Sequence, residues 1–288
     1  MALSRYTTLL SGLLVACVSA RASIVVGDDA GRSVTLERPA QRIVSLSPHA
    51  TELLFAAGAG ARVVGVAAYS DYPPAATALP QVGDAHALDL ERILALRPDL
   101  VVAWLSGNSR QQVERLEASG IAVYFSEPRT APDVAANLER LGQLAGTDAA
   151  GRAAAQNYRA ELAQLEQAYR GARPVKLFYE IWHAPVMTLS GRHFVSDILA
   201  RCGAINVFAD LPALVPTVSP EAVIGAAPEA IASGAGAEAI AYWAARRELP
   251  AARSGALCAV DATRMHRAGP RLVAAARELC GCIAKARR

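Results

Sequence analysis

The sequence predicts an α/β protein of two parallel-sheet lobes joined by one long connecting α-helix, with a ligand cleft between the lobes. Three observations carry that expectation. Apolar runs rich in Val and Ile alternate with amphipathic segments on both sides of the middle of the chain. One uninterrupted helical stripe breaks this rhythm at residues 148–171. Segments 89–99 (DLERILALRPD) and 219–229 (SPEAVIGAAPE) echo each other at a constant offset of 130 residues.

Residues 1–22 read as an export signal, with Arg5 in the positive n-region and a short apolar run from Leu9 to Ala16. That run is too short to span a bilayer. Two cleavage patterns compete: Leu14-Val15-Ala16-Cys17 resembles a lipobox, whereas Val18-Ser19-Ala20 and Ala20-Arg21-Ala22 suit an ordinary signal peptidase. Either places the mature protein outside the cytoplasm, soluble in the periplasm or lipid-anchored through Cys17.

The N-terminal lobe is expected over 23–146, opening on a hairpin at 24–38 around an Asp-Asp-Ala-Gly turn. IVSL, VVGV, LVVAW and IAVYF then alternate with helices from Thr51, Asp89, Ser109 and Ala131, the grammar of a Rossmann-like sheet. The connecting helix, 147–171, carries Ala153, Tyr158, Leu162, Leu165 and Tyr169 on one stripe, with Asp148 as N-cap and Gly171 as C-cap. At 1.5 Å per residue it would run roughly 35 Å. The C-terminal lobe, 172–288, resumes the alternation with VKLFYEIW, a helix from Ser196, AIAS, a helix near Ala237, ALCAVD and a helix from Pro270.

The 288 residues suffice for two lobes with sizeable cores, and a net charge of +3 is too small and dispersed for nucleic acid. Four cysteines remain after processing: Cys202, Cys258, Cys280 and Cys282. An even number in an oxidising space reads as disulfides, with three pairings open, although Cys280-Gly-Cys282 is too tight for a usual bridge. No CxxC pair supports a zinc site, and no metal site is expected.

Enzyme chemistry finds no footing: there is no GxSxG elbow, no HExxH-like ligand set and no phosphate loop. Aromatics make up only 6% of the chain, so Tyr69 and Trp104, at the ends of strand-like runs, stand out as contacts for a ligand that is held rather than converted. In the echoed segments an N-cap residue (Asp89, Ser219) precedes a glutamate two positions on (Glu91, Glu221), which complements the helix dipole. Matched glutamates on two lobes also suit a two-point docking surface.

The stretches RIVSLSPHATELLFAAG, YSDYPP, LERILALRPDLVVAW, CGAINVFAD, VSPEAV, RAGPR and the Leu-Cys at 279–280 follow one another along most of the mature chain. Together they resemble the periplasmic cobalamin-binding components of bacterial ABC importers. That group belongs to a class of binding proteins whose lobes are joined by a single helix, a class that also holds binders of haem and ferric siderophores. The resemblance implies capture of cobalamin or another corrinoid, with no further cofactor, by a protein that is monomeric when free. It implies delivery to an ABC permease dimer carrying a cytoplasmic ATPase.

By the same resemblance Tyr69 and Trp104 face the corrinoid, and Glu91 and Glu221 engage permease arginines. Cys202 and Cys280 form a disulfide, with Cys258 and Cys282 left either paired or free. The C-lobe ligand loop maps to Thr263, Arg264, Met265, His266 and Arg267, where the compared family member is aromatic and acidic. A tryptophan expected before LERI is replaced by Ala85 and His86, and Trp182 with His183 is expected to restore aromatic surface. A corrinoid is a large, partly apolar disc edged with amides. Tyr69, Trp104 and Trp182 would cover its faces, while His49, His86, His183, Arg264 and His266 would meet its polar edge. The alternative on the same fold is haem, marked by an axial Tyr or His, or a ferric siderophore, marked by clustered arginines.

Overall fold

The computed structural model describes residues 23–288, so the export signal and Cys17 lie outside the described residues. Strands β1 (Ile24–Gly27) and β2 (Ser33–Leu36) form the antiparallel hairpin. Its turn closes on Asp28, whose carboxylate accepts from the backbone N–H groups of Ala30 and Arg32. The N-lobe then runs β3 (Ile43–Ser45), α1 (Pro48–Ala56), β4 (Val63–Val66), α2 (Leu90–Ala95), β5 (Leu100–Trp104), α3 (Arg110–Ala118), β6 (Ala122–Ser126) and α4 (Ala131–Ala145). Helix α5 (Asp148–Tyr169) leads out of it.

The C-lobe runs β7 (Val175–Glu180), α6 (Phe194–Arg201), β8 (Ala204–Asn206), α7 (Pro220–Ala226), β9 (Ala230–Ser233), α8 (Ala237–Ala244), α9 (Pro250–Ser254), β10 (Leu257–Ala259), α10 (Ala262–Met265) and α11 (Leu272–Ile283). Both four-stranded sheets are parallel, ordered β4-β3-β5-β6 and β8-β7-β9-β10. The two orders are the same path: the first strand of each lobe lies inside its sheet and the chain turns first to one side, then to the other.

Local chemistry sets the helix ends. Helix α1 starts three residues before the expected Thr51, because the Ser47 hydroxyl accepts from the N–H of Ala50 and Pro48 occupies the first turn. Asp89 and Ser219 cap α2 and α7 through the N–H groups of Arg92 and Ala222. The echoed segments thus become the helices that feed β5 and β9, equivalent strands of the two sheets.

Helix α5 is capped at Thr147 rather than Asp148, and the Thr147 hydroxyl donates to the carbonyl of Ala57. Its buried stripe is Gly151, Ala155, Tyr158, Leu162 and Leu165; Ala153 is exposed. A Cβ on Gly151 would come within 2.7 Å of the Leu138 carbonyl oxygen, so α5 and α4 meet backbone to backbone.

One face of each sheet packs into a continuous apolar core that passes through α1, α4, α5, α6 and α11. The other faces are covered separately, by α2 and α3 in the N-lobe and by α7, α8 and α9 in the C-lobe. Cys202 and Cys280 are bonded, joining the end of α6 to α11 with a Cα separation of 5.1 Å. Cys258 and Cys282 form a second disulfide, joining β10 to the same helix. Among the described residues no helix is long and apolar enough to cross a membrane.

Candidate functional site

Parallel sheets of this winding leave crevices beyond the carboxyl ends of their strands. Here the crevices of the two sheets face each other and enclose a cavity of about 950 Å³. The N-lobe supplies Pro48 and His49 after β3, Tyr69 after β4, Trp104 and Ser106 at the end of β5, and Glu127, Pro128 and Arg129 after β6. From the C-lobe come Ile181 after β7, Arg192, His193 and Phe194 at the start of α6, and Leu214 and Val215 after β8. Ala262, Thr263, His266, Arg267 and Ala268, on and after α10, close it.

Trp104 is held by its neighbours. Its backbone N–H donates to Asn108 Oδ1 at 2.7 Å, and the Asn108 amide donates in turn to the carbonyls of Leu46 and Ala85. A Cβ on Gly107 would overlap the Trp104 indole, so only glycine lets the ring lie flat on this loop. The edge of His49 meets the indole with centroids 5.7 Å apart. His49 sits between the hydroxyls of Ser47 (3.0 Å) and Ser126 (3.2 Å), and burial pushes its pKa down to about 4. Tyr69 differs: its φ is +64°, its residue surface is 76% exposed, and its ring stands free in the cleft.

Two C-lobe histidines face the same cavity. His193 accepts the Val195 N–H at Nδ1 and stacks on Phe194, with centroids 4.5 Å apart. His266 Nε2 lies 2.9 Å from the Tyr179 hydroxyl. Burial lowers both pKa values to about 4, so His49, His193 and His266 are neutral at physiological pH.

Of the residues singled out in the sequence, Tyr69, Trp104, Thr263, His266, Arg267 and His49 line the cavity. Four others do not. Helix α10 turns about 100° per residue, so five successive positions cannot all share a face. Arg264 therefore points to Asp261 and to both carboxylate oxygens of Glu278, at 2.7, 2.8 and 2.8 Å, and Met265 is fully buried in the core. Beyond β7 the chain bends at Ile181 and folds back in a tight turn that bridges Trp182 to Met187; Ile181 faces the cavity, while Trp182 lies outside it, 59% exposed, with its indole N–H on the Ala184 carbonyl. His183 pairs with the buried Glu180 at 2.8 Å and sets its ring against Tyr242. His86 is exposed on the loop beside Asp84.

The apolar wall of the C-lobe is Phe194, Leu214 and Val215 instead, and the sequence reading passed over it together with His193. The available signal was position: a histidine and a phenylalanine immediately before an apolar helical run, after a strand whose lobe repeats the N-lobe winding. Glu91 and Glu221 are exposed in the first turns of α2 and α7. Among the described residues no group of three or more His, Cys, Asp or Glu side chains is arranged to hold a metal ion.

Comparison with known proteins agrees with this architecture. A vitamin B12-binding protein of Vibrio cholerae is 36% identical over 244 residues, covering 84% of this chain and 88% of that protein. The vitamin B12-binding protein of Photorhabdus laumondii is 37% identical over 243 residues, 83% of this chain and 86% of its own length. Among solved structures, periplasmic vitamin B12-binding protein BtuF of Vibrio cholerae superposes with a TM-score of 0.82 at 35% identity, over 87% of this chain and 99% of that one. The periplasmic haem-binding protein RhuT of Roseiflexus sp. RS-1 reaches a TM-score of 0.76 at 26% identity, over 86% and 99%. The family model for periplasmic binding proteins matches residues 43–254, and the chain belongs to that family.

Proposed function

We propose that this protein is the periplasmic substrate-binding component of an ABC importer, capturing cobalamin or a related corrinoid and delivering it to a membrane permease. The observation that carries this reading is the 950 Å³ cleft in which an exposed Tyr69 and a braced Trp104 present aromatic faces, with neutral histidines and a few charged side chains around them. That volume stands at the upper end of the roughly 300–1,000 Å³ usual for small-molecule sites, and it suits a macrocycle. The vitamin B12-binding relatives support the choice of macrocycle. Isothermal titration with cyanocobalamin, cobinamide and haemin tests it: cyanocobalamin is expected to bind as one molecule per chain. Tight haemin binding with no heat from either corrinoid would overturn it.

Haem is the second reading, because His193 and His266 are held in the neutral form that ligates iron. The same titration separates the two. For delivery, Glu91 and Glu221 occupy equivalent first turns on the two lobes and are the proposed contacts for permease arginines. Truncating one partner of a desolvated interfacial ion pair costs about 2–5 kcal/mol. The Glu91→Ala, Glu221→Ala double variant is therefore expected to lose transport with ligand affinity unchanged, and transport equal to the parent's would remove this assignment.

A further inference from the structure

Arg267 lines the cavity, and its sequence position suggests a ligand contact, yet both terminal nitrogens of its guanidinium are already engaged. One terminal nitrogen donates to Asp71 Oδ1 at 2.5 Å and to Glu52 Oε1 at 3.2 Å; the other donates to the backbone carbonyl of Tyr69 at 3.0 Å. All three acceptors belong to the opposite lobe. Glu52 is only 2% exposed, and Arg271, the next arginine of the C-lobe, grips its carboxylate through two hydrogen bonds of 2.6 and 2.9 Å. Arg271 also lies over the Tyr72 ring, 4.2 Å from its centroid. A buried carboxylate on α1 thus anchors two arginines from across the cleft, and one of them reaches on to the loop that carries Tyr69.

That loop needs holding. A tyrosine at φ +64° is in the left-handed region, which non-glycine residues adopt at a cost of about 1 kcal/mol or more. The Tyr69 ring is 76% exposed, so packing does not fix it. Local backbone bonds hold the loop, the Tyr69 carbonyl accepting from the Asp71 N–H at 3.0 Å, and the link to the other lobe is Arg267, which donates to that same carbonyl and to the Asp71 carboxylate. We propose that Arg267 is a positioning residue: tethered to Glu52, it sets the orientation of Tyr69 across the gap between the lobes, and so the angle at which that ring meets the ligand. Because the tether joins one lobe to the other, the ligand-facing aromatic of the N-lobe is aimed by the C-lobe.

The inference rests on the binding role proposed above for its affinity readout, but not for its structural one. In the ligand-free protein, amide hydrogen exchange over residues 68–74 is expected to speed up in Arg267→Ala and in Glu52→Gln. Exchange in β3 and β5 should stay unchanged in both. This outcome does not depend on the identity of the ligand. With cyanocobalamin as probe, Arg267→Ala is expected to weaken binding by about tenfold. Introduced into Tyr69→Ala, the same change should weaken binding by less than about twofold, because residues acting through one another are non-additive.

Arg267→Lys keeps the charge but loses the fork that spans three acceptors, and is expected to behave as Arg267→Ala. Equal losses in both backgrounds would mean that Arg267 touches the ligand directly, and would overturn the inference. Unchanged exchange at 68–74 would do the same. Failure of the parent protein to bind any corrinoid would fall on the proposed function alone and leave the exchange test standing.

Discussion

The two lobes wind their sheets along the same path, yet they use their aromatic residues and their covalent bonds in opposite ways. The N-lobe turns Tyr69 and Trp104 into the cleft and contains no disulfide. Its counterpart buries Phe178, Tyr179 and Trp243 completely and carries both disulfides on its last helix. The N-lobe keeps Tyr124 as core and turns two large rings into the cleft, whereas the C-lobe turns in only Phe194 and retains Phe178, Tyr179 and Trp243 as core. The difference teaches that sheet topology positions a site without determining its lining. What each strand end presents is decided by the loop that follows it.

The largest expected effect follows from the covalent asymmetry. In the chain-entropy picture a crosslink over a separation of 78 residues contributes about 4.5 kcal/mol, as an upper figure. Reduction is therefore expected to lower the unfolding temperature of the C-lobe by far more than that of the N-lobe, giving two calorimetric transitions where the oxidised protein gives one. A single transition shifted as a whole would show the lobes to be one cooperative unit through their shared core.

Acid titration sharpens the comparison from another side. His49 in the N-lobe and His193 and His266 in the C-lobe have folded pKa values of about 4 against an ordinary 6.5. The folded state therefore binds fewer protons than the unfolded one between those values. Stability is complete above pH 6.5 and falls as pH drops towards 4, at up to about 1.4 kcal/mol per pH unit for each histidine. Urea midpoints at pH 7 and pH 5 measure the drop, and His49→Gln should shrink it. An identical drop in that variant would assign the loss to other groups.

Smaller again is the effect on binding of the braced indole. Removing one aromatic face by Trp104→Ala is expected to weaken the ligand complex by about 1–3 kcal/mol. Gly107→Ala, which leaves the tryptophan in place but displaces its ring, should give a fraction of that loss. A Gly107→Ala variant with parental affinity would show that the ring needs no such seat.

Much of this was legible in the chain. The strand–helix alternation, the long helix and the Cys202–Cys280 bond all follow from pattern or resemblance, and the echo at 89 and 219 marks equivalent helices. The short β8 was missed, since three residues, Ala204–Asn206, carry no periodicity to detect. At the site, reading residues 263–267 as one continuous ligand loop failed because those positions form a helical turn, which sends Arg264 and Met265 away from the cleft. Aromatic character alone points Trp182 inward, but the bend after β7 gives that direction to Ile181. Commitments made through space, such as Glu52 to Arg267 over 215 residues, leave no local trace in a sequence.

Both disulfides also close on α11, and this imposes an order of events on a chain that emerges from its N-terminus. Cys202 is made 78 residues before its partner and Cys258 24 residues before its own, and both are destined for the interior. Until Cys280 and Cys282 follow, the only partners those two thiols can find within the lobe are each other. Both native crosslinks can therefore form only once the last helix has been made.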